Sequence, residues 1–251
     1  MSSGYQILPV VYDRWQKTYG KDYTTLILPR VLDTIRFYRI PRGSMLDLAC
    51  GTGTLALMMA KRGWRVWGVD GSEGMIAEAK KKLGGGRTRV DFLRQDMREL
   101  KLPEQVGVAT SLFDSLNHLP NRQDLLVTFE AVHASLLAGG YFMFDLNNER
   151  CFRTLWTKTE TIHHKDFMMI LQNSYDPAKG SACSDVIVFE KNGERYSRST
   201  ETVVEHLFPD NVVKASLQQA GFSVLQGEEF NFTPYPEIGN IKTWWVARKK
   251  Q

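Results

Sequence analysis

The 251-residue chain has little cysteine, no strong excess of charge of one sign and no long apolar run. Each shortage excludes something. The three cysteines, Cys50, Cys151 and Cys183, are scattered and make no CxxC or other metal-ligand spacing. A disulfide framework and a metal centre are therefore not expected, and a reducing, cytoplasmic setting fits. Lys and Arg number 32 against 28 Asp and Glu, for a net charge of +4. No nucleic-acid partner is expected from so even a balance. The longest stretch free of Asp, Glu, Lys and Arg is residues 131–144. It falls short of the roughly 20 residues that span a bilayer, so no membrane association is expected. The opening MSSGYQILPVVYDRW has no basic region followed by an apolar one, and no secretory leader is read there. Internal repeats and low-complexity tracts are also missing. What remains is ordinary globular composition, 43% hydrophobic and 24% charged. Its length suits one domain, or one domain carrying an insert.

Punctuation by glycine and proline divides the chain. Residues 1–43 form an N-terminal helical segment rich in aromatics: Tyr12, Trp15, Tyr19 and Tyr23 precede a helix over Leu26–Tyr38. From residue 44 to 148, short apolar runs alternate with helical stretches. Strands are expected at Met45–Ala49, Arg65–Val69, Val90–Leu93, Val106–Phe113 and Tyr141–Leu146. Helices are expected at Leu55–Arg62, Glu73–Leu83 (capped by Ser72) and Arg122–Leu137 (capped by Asn121). Such alternation specifies a doubly wound, mostly parallel α/β sheet. Residues 149–208 read differently, as three consecutive strands at 163–175, 183–191 and 196–208 joined by turn residues. That is an antiparallel insert. A helix capped by Asp210 and strands near Phe222–Phe232 and Thr243–Arg248 then close the main domain.

The sharpest motif is Leu46-Asp47-Leu48-Ala49-Cys50-Gly51-Thr52-Gly53, a strand feeding a glycine-rich turn before a helix. Glycine lets backbone approach a ligand, and in open α/β sheets ligands lie beyond the strand C-termini. The second strand ends in Asp70-Gly71, where a carboxylate can accept from both hydroxyls of a ribose. Gly51-x-Gly53-x-x-Ala56 also fits a dinucleotide fingerprint, so a nicotinamide-dependent oxidoreductase is an alternative. Against it stand Asp47 inside the strand end, Asp96-Met97 after the third strand and Phe113-Asp114 after the fourth. Four carboxylates around one crevice suit a cationic nucleoside without phosphate.

LDLACGTGTL, VWGVDGSEGMIAEAK, FLRQDM, SLFDSLNHL and LLAGGYFMFDLNN, in this order and spacing, resemble a class I S-adenosylmethionine-dependent methyltransferase. More loosely, the whole resembles bacterial and archaeal small-molecule methylases, amino-sugar N-methyltransferases among them. The resemblance implies a seven-stranded sheet with its last strand antiparallel, and S-adenosyl-L-methionine as cofactor. It implies that Gly51 and Gly53 line the methionine part, that Asp47 orders the turn or holds the amino group, and that Ala49 stands where the family often has Gly. It further implies that Asp70, with Gly71, binds the ribose. Asp96 accepts from adenine N6, Met97 and Met75 pack on the ring, and Phe113 and Asp114 sit beneath the sulfonium.

Transfer from a sulfonium needs orientation above all, and a base only where the acceptor carries a proton that leaves early. His118, after the fourth strand, is the first candidate base and His206, ending the insert, the second. The insert's net charge is zero, and its aromatics (Trp156, Phe167, Tyr175, Phe189, Tyr196) suit a lid over a small-molecule acceptor. His163 or His164, and Arg150 or Arg153 at the first junction, are further polar candidates. The N-terminal aromatics are expected to close over the cofactor, Tyr12 reaching it. The expected function is methyl transfer to N or O of a small molecule. A non-catalytic S-adenosylmethionine-binding protein is the alternative outside enzymes.

Overall fold

The structure is a computed structural model that describes residues 5–18, 22–84, 89–231 and 238–250. In chain order its helices and strands are α1 (Pro9–Thr18), α2 (Tyr23–Phe37), β1 (Ser44–Leu48), α3 (Thr54–Lys61), β2 (Arg65–Asp70), α4 (Glu73–Lys81), β3 (Val90–Arg94), β4 (Val106–Ser111), α5 (Arg122–Ser135), β5 (Leu136–Asn147), α6 (Glu149–Thr154), β6 (Thr159–His163), β7 (Phe167–Asp176), β8 (Ser181–Asn192), β9 (Arg195–His206), α7 (Asp210–Gln219), β10 (Phe222–Phe230) and β11 (Lys242–Lys249). Seven strands make one sheet in the order β10-β11-β5-β4-β1-β2-β3. The pairs among β1 to β5 are parallel, whereas β11 runs antiparallel to both β5 and β10. Strands β1, β2 and β4 are buried along nearly their whole length, as a parallel sheet covered on both faces requires. One apolar layer, with Phe129, Phe142, Phe144 and Trp245, packs under α5 and α7. The other, with Ile27, Met45, Met59 and Trp244, packs under α2, α3 and α4.

Local signals hold at most ends. Ser72 accepts from Met75 N–H at 3.2 Å to cap α4, and Asn121 accepts from Asp124 N–H at 2.9 Å to cap α5. Three expectations need correction. Helix α5 stops at Ser135, and β5 begins at Leu136, running through Gly139-Gly140 to Asn147. A Cβ at Gly140 would stand 2.9 Å from Leu137 O, so Gly140 permits close packing inside the strand, while Gly139 supplies a left-handed residue at φ 74°, four residues past the end of α5. Pro209, not Asp210, occupies the cap position of α7, and Asp210 lies in its first turn. The insert has four strands and a short helix: β6 precedes the three expected strands, giving the order β6-β7-β8-β9. The signal for β6 is weak because all but one of its residues are exposed.

The buried face of the second sheet shares one apolar cluster with the N-terminal segment. Leu8 and Val11 pack with Ile162, Phe167, Met169, Val186, Val188 and Val203, and Trp15 and Trp156 lie against them. Cap and insert thus bury each other's apolar faces. Among the described residues no helix is long and apolar enough to cross a membrane.

Candidate functional site

The C-terminal ends of β1, β2, β4 and β5 meet at one edge of the large sheet, and the turns beyond them carry the candidate residues. After β1 the backbone turns left-handed at Ala49, Gly51 and Gly53, with φ of 54°, 54° and 76°. The two glycines differ in what they face. A Cβ on Gly53 would come within 2.4 Å of the Phe92 ring, whereas one on Gly51 would meet nothing within 4 Å among the described residues. Gly53 therefore serves packing and the entry to α3, and Gly51 leaves open space above the turn. Asp70, at the tip of β2, accepts from Gly51 N–H and from Ser72 N–H, each at 2.8 Å. Burial raises its pKa, and the two N–H groups pull against that rise. Gly71 follows it, with only Gln95 O near, 3.8 Å from where a Cβ would stand. Asp47 is buried within β1; its Oδ1 accepts from the Thr110 hydroxyl at 3.1 Å, and its Oδ2 has no hydrogen-bond partner among the described residues. Burial pushes its pKa up to about 7, despite Thr110 and the Ala56 N–H.

Beyond β3, Asp96 is bound to its near neighbour Arg98 through two contacts, at 2.9 and 2.6 Å. That guanidinium holds the Asp96 carboxyl below its ordinary range. Met97 packs against the core, and Met75 is buried on α4.

The corner after β4 is the most heavily constrained part of the edge. Phe113 and Asp114 are both left-handed, at φ 60° and 51°. Non-glycine residues pay for that conformation in steric strain, and such strain gathers at functional sites. Here it is offset by Asp145 at the end of β5, whose Oδ1 and Oδ2 accept from Phe113 N–H (2.8 Å) and Asp114 N–H (3.1 Å). Lys242, opening β11, places its ammonium 2.5 Å from Asp114 and 2.8 Å from Asp145. The Tyr23 ring stacks on Phe113 at 4.5 Å.

His118 and Glu205 join Asp114 from a 3-10 turn (Ser115–His118) and from β9. One donor atom from each of the three lies within 4.8 Å of the others. Burial alone raises the Asp114 pKa, but Lys242 and a hydrogen bond from Glu205 bring it below the ordinary value. Glu205 is raised well above its own, by burial and then by the Asp114 charge, so it carries the shared proton. His118 Nδ1 lies 3.1 Å from Val204 O, which only accepts; that nitrogen therefore carries the hydrogen. Its Nε2 is left as the acceptor, and the Tyr5 hydroxyl donates to it at 3.1 Å. Burial depresses the His118 pKa, keeping the ring neutral.

The N-terminal segment crosses above this edge. Ser72 Oγ donates to Tyr5 O at 3.0 Å, and Glu201 of the insert accepts from the N–H groups of Gln6, Ile7 and Leu8 at 2.7, 3.1 and 3.3 Å. Tyr12 stands edge-on to Tyr5 and to Phe113, each 6.4 Å away. Asp13 takes the Thr52 hydroxyl and the Lys82 ammonium, both at 2.5 Å. Tyr19 lies outside the described residues.

The candidates do not all converge. Asp47, Gly51, Asp70, Tyr12, Phe113, Asp114 and His118 lie at the edge. His206 touches it through its backbone, where Asn117 donates to His206 O at 2.8 Å, while its buried Nδ1 has no partner among the described residues. Arg153 pairs with Glu149 on the outer face of α6, and Arg150 is exposed on the same helix. His163 is exposed, and His164 stacks on Phe167. Of the insert aromatics, Phe167 is core, Trp156 packs beside it, Tyr175 stacks on Phe152, and Tyr196 is exposed.

Sequence reasoning missed Asp145, Lys242, Glu205 and Tyr5. Asp145 stands within a quoted motif, so its place at a strand end was a usable signal. Lys242 and Glu205 come from distant strands and have no local signature.

Comparison with known proteins agrees with the geometry. Residues 45–140 match the family described as Methyltransferase domain. YqeM of Bacillus subtilis (strain 168), named as a methyltransferase, is 32% identical over 185 residues, covering 73% of this chain and 74% of that one. The dTDP-3-amino-3,4,6-trideoxy-alpha-D-glucopyranose N,N-dimethyltransferase of Streptomyces venezuelae is 29% identical over 135 residues, 54% of this chain and 55% of that enzyme. In fold, the chain is similar to S-adenosylmethionine-bound CalS10, an amino pentose methyltransferase from Micromonospora echinaspora. The TM-score is 0.75 at 19% identity, over 96% of this chain and 97% of that one.

Proposed function

From the premise that the chain belongs to the class I S-adenosylmethionine-dependent methyltransferases, we propose that it methylates an amine of a small molecule. The family membership removes the nicotinamide alternative: the enzyme uses S-adenosyl-L-methionine. The observation that carries the amine is the cluster after β4. An ionised Asp114, a neutral His118 with Nε2 as acceptor, and the rings of Phe113, Tyr12 and Tyr5 stand together. A protonated amine finds there a carboxylate and π faces, and an imidazole to take its proton.

The residues on the opposite side fit the cofactor. Among the described residues, Asp47 keeps a buried carboxyl oxygen without a partner, and Gly51 leaves room above the turn. A cationic methionine moiety would satisfy the one and fill the other. In this reading Asp47, Ala49, Gly51 and Gly53 shape the methionine site, and Asp70 with Gly71 the ribose site. Asp96, Met97 and Met75 take the adenine, with Arg98 sharing Asp96. Phe113, Asp114 and Tyr12 border the sulfonium. The bound cofactor supplies a methyl group already activated on sulfur. The protein aligns the acceptor nitrogen, takes its proton at His118 Nε2 and excludes water beneath Tyr5 and Tyr12. The insert acts as the lid over the acceptor: Glu201 holds the N-terminal segment, and Glu205 faces Asp114. Tyr5 vacates Nε2 when the acceptor enters.

Asp70→Ala is expected to weaken cofactor binding by about 2–3 kcal/mol, because ribose donors lose a charged acceptor. The Gly51 and Ser72 amides lose theirs as well. Calorimetry with S-adenosylmethionine checks this, and unchanged affinity would remove Asp70 from the site. The acceptor class is tested by methyl transfer from labelled cofactor to a panel of amino sugars, alkyl amines and phenols. Turnover on amines is expected. Turnover on phenols alone would replace the amine with an oxygen acceptor, and cofactor binding without turnover on any of them would favour a non-catalytic binder.

A further inference from the structure

Asp145 and Lys242 are both almost wholly buried, and they sit on neighbouring antiparallel strands of the sheet, β5 and β11. Removing two opposite charges from water is costly, and apolar residues would fill such a place at no loss of stability. What the pair touches gives it a purpose. Asp145 holds the amides of Phe113 and Asp114, two consecutive left-handed residues whose conformation has no glycine to ease it. Lys242 bridges Asp145 and Asp114, and its ammonium lies 5.4 and 5.7 Å from the ring centres of Tyr23 and Phe113.

We propose that Asp145 and Lys242 are the positioning pair for methyl transfer, Asp145 clamping the Phe113–Asp114 corner and Lys242 holding Asp114 as the carboxylate that meets the acceptor. This rests on the amine reading of the site. Several groups face Asp114: Lys242 from β11, Glu205 from β9, His118 from its 3-10 turn, Tyr5 and Tyr12 from the N-terminal segment and Tyr23 from α2. Asp145 from β5 and Cys151 from α6 share Lys242 with it. Two carboxyls as close as Asp114 and Glu205 cannot both ionise. Lys242 touches Asp114, while Glu205 receives the neutral Asn147 amide at 2.8 Å. The cation therefore decides which of the two keeps the proton: Glu205 carries it and Asp114 does not. Without Lys242, Asp114 loses the largest influence that opposes its burial and keeps only the weaker help of Glu205 and His118, and the acceptor amine loses its counter-charge.

The test uses the full chain with S-adenosylhomocysteine bound and aspartate carboxyls labelled with carbon-13, the Asp114 signal being assigned with Asp114→Asn. In the parent protein Asp114 stays ionised from about pH 5 to about pH 8. In Lys242→Met its midpoint rises by at least about 2 pH units, the size of effect a close opposite charge exerts. Lys242→Arg keeps the charge and restores the low midpoint. In Asp145→Asn, hydrogen exchange at the Phe113 and Asp114 amides speeds up at least about tenfold while the β1 amides keep their protection. If Lys242→Met does not fold, Lys242→Met/Asp145→Asn removes one charge of each sign and carries the same titration. An unchanged Asp114 midpoint, or unchanged exchange at the corner, overturns the pairing even where the amine panel shows turnover. An amine panel without turnover, alongside the shifted midpoint and faster exchange, overturns the acceptor reading and leaves the pair standing.

Discussion

His118→Ala should lower kcat by about 10²–10⁴-fold, the usual contribution of a general base, while cofactor affinity by calorimetry stays nearly unchanged. The acceptor amine arrives with a proton that must leave before the nitrogen attacks, and Nε2 of His118 is the lone pair aimed at the cluster. Its Nδ1–H bond to Val204 O fixes the tautomer. A base works only when neutral, so kcat rises with pH through the His118 pKa. Burial places that pKa below the ordinary 6.5, and the acid limb of the profile should have its midpoint below that value. Alanine should remove this limb along with most of the rate. A variant that keeps the same limb at the same midpoint would assign the base elsewhere.

Asp47→Asn should make the cofactor-free protein more stable at alkaline pH and the cofactor-bound protein less so. The folded-state pKa of about 7 lies above the ordinary 3.8. Stability is therefore whole below about pH 4 and is lost as the pH rises through about 7. Across that window the loss reaches roughly 4 kcal/mol at about 1.4 kcal/mol per pH unit. Asparagine never ionises and escapes it. The variant should melt close to the parent at pH 4 and well above it at pH 8. With S-adenosylmethionine the order reverses, because a cation beside Asp47 favours the carboxylate and the amide offers it no charge. Melting curves at both pH values, with and without cofactor, check the claim. Equal curves at pH 8 without cofactor would mean that Asp47 is not held as a buried acid.

The parallel sheet, its helices and the edge that carries the candidate site were legible because their signals are local. Apolar runs of five or six residues ending in Ala49-Cys50-Gly51, Asp70-Gly71 or Phe113-Asp114 announce strands with something to hold at their tips. Ser72 and Asn121 announce helices through a bond to an amide three residues on. Strand β6 was not legible, because only Ile162 of its five residues is buried and so few apolar residues show no alternation. Glycine at 139 and 140 misled for a related reason. Glycine ends helices by adopting a left-handed turn and also lets backbone approach closely; here Gly139 is left-handed inside β5 and Gly140 passes close to Leu137 O.

The sequence by itself determined the mostly parallel sheet and the cofactor family, and it offered the carboxylates Asp47, Asp70, Asp96 and Asp114 as candidates. Their signals are local in the chain, even where the strands that carry them pair across it, as Met45 does with Val108. Only the tertiary structure decided which groups share protons and charge. Lys242 lies 128 residues from Asp114, and Asn147 lies 58 from Glu205. Glu201 lies 195 from Gln6. Nothing near Asp114 in the chain tells whether it is paired, and nothing near Leu8 tells that its apolar face is covered by the insert. Burial and charge pairing depend on where distant strands end in space, so the protonation of Asp114, Glu205 and His118 is a property of the assembled edge.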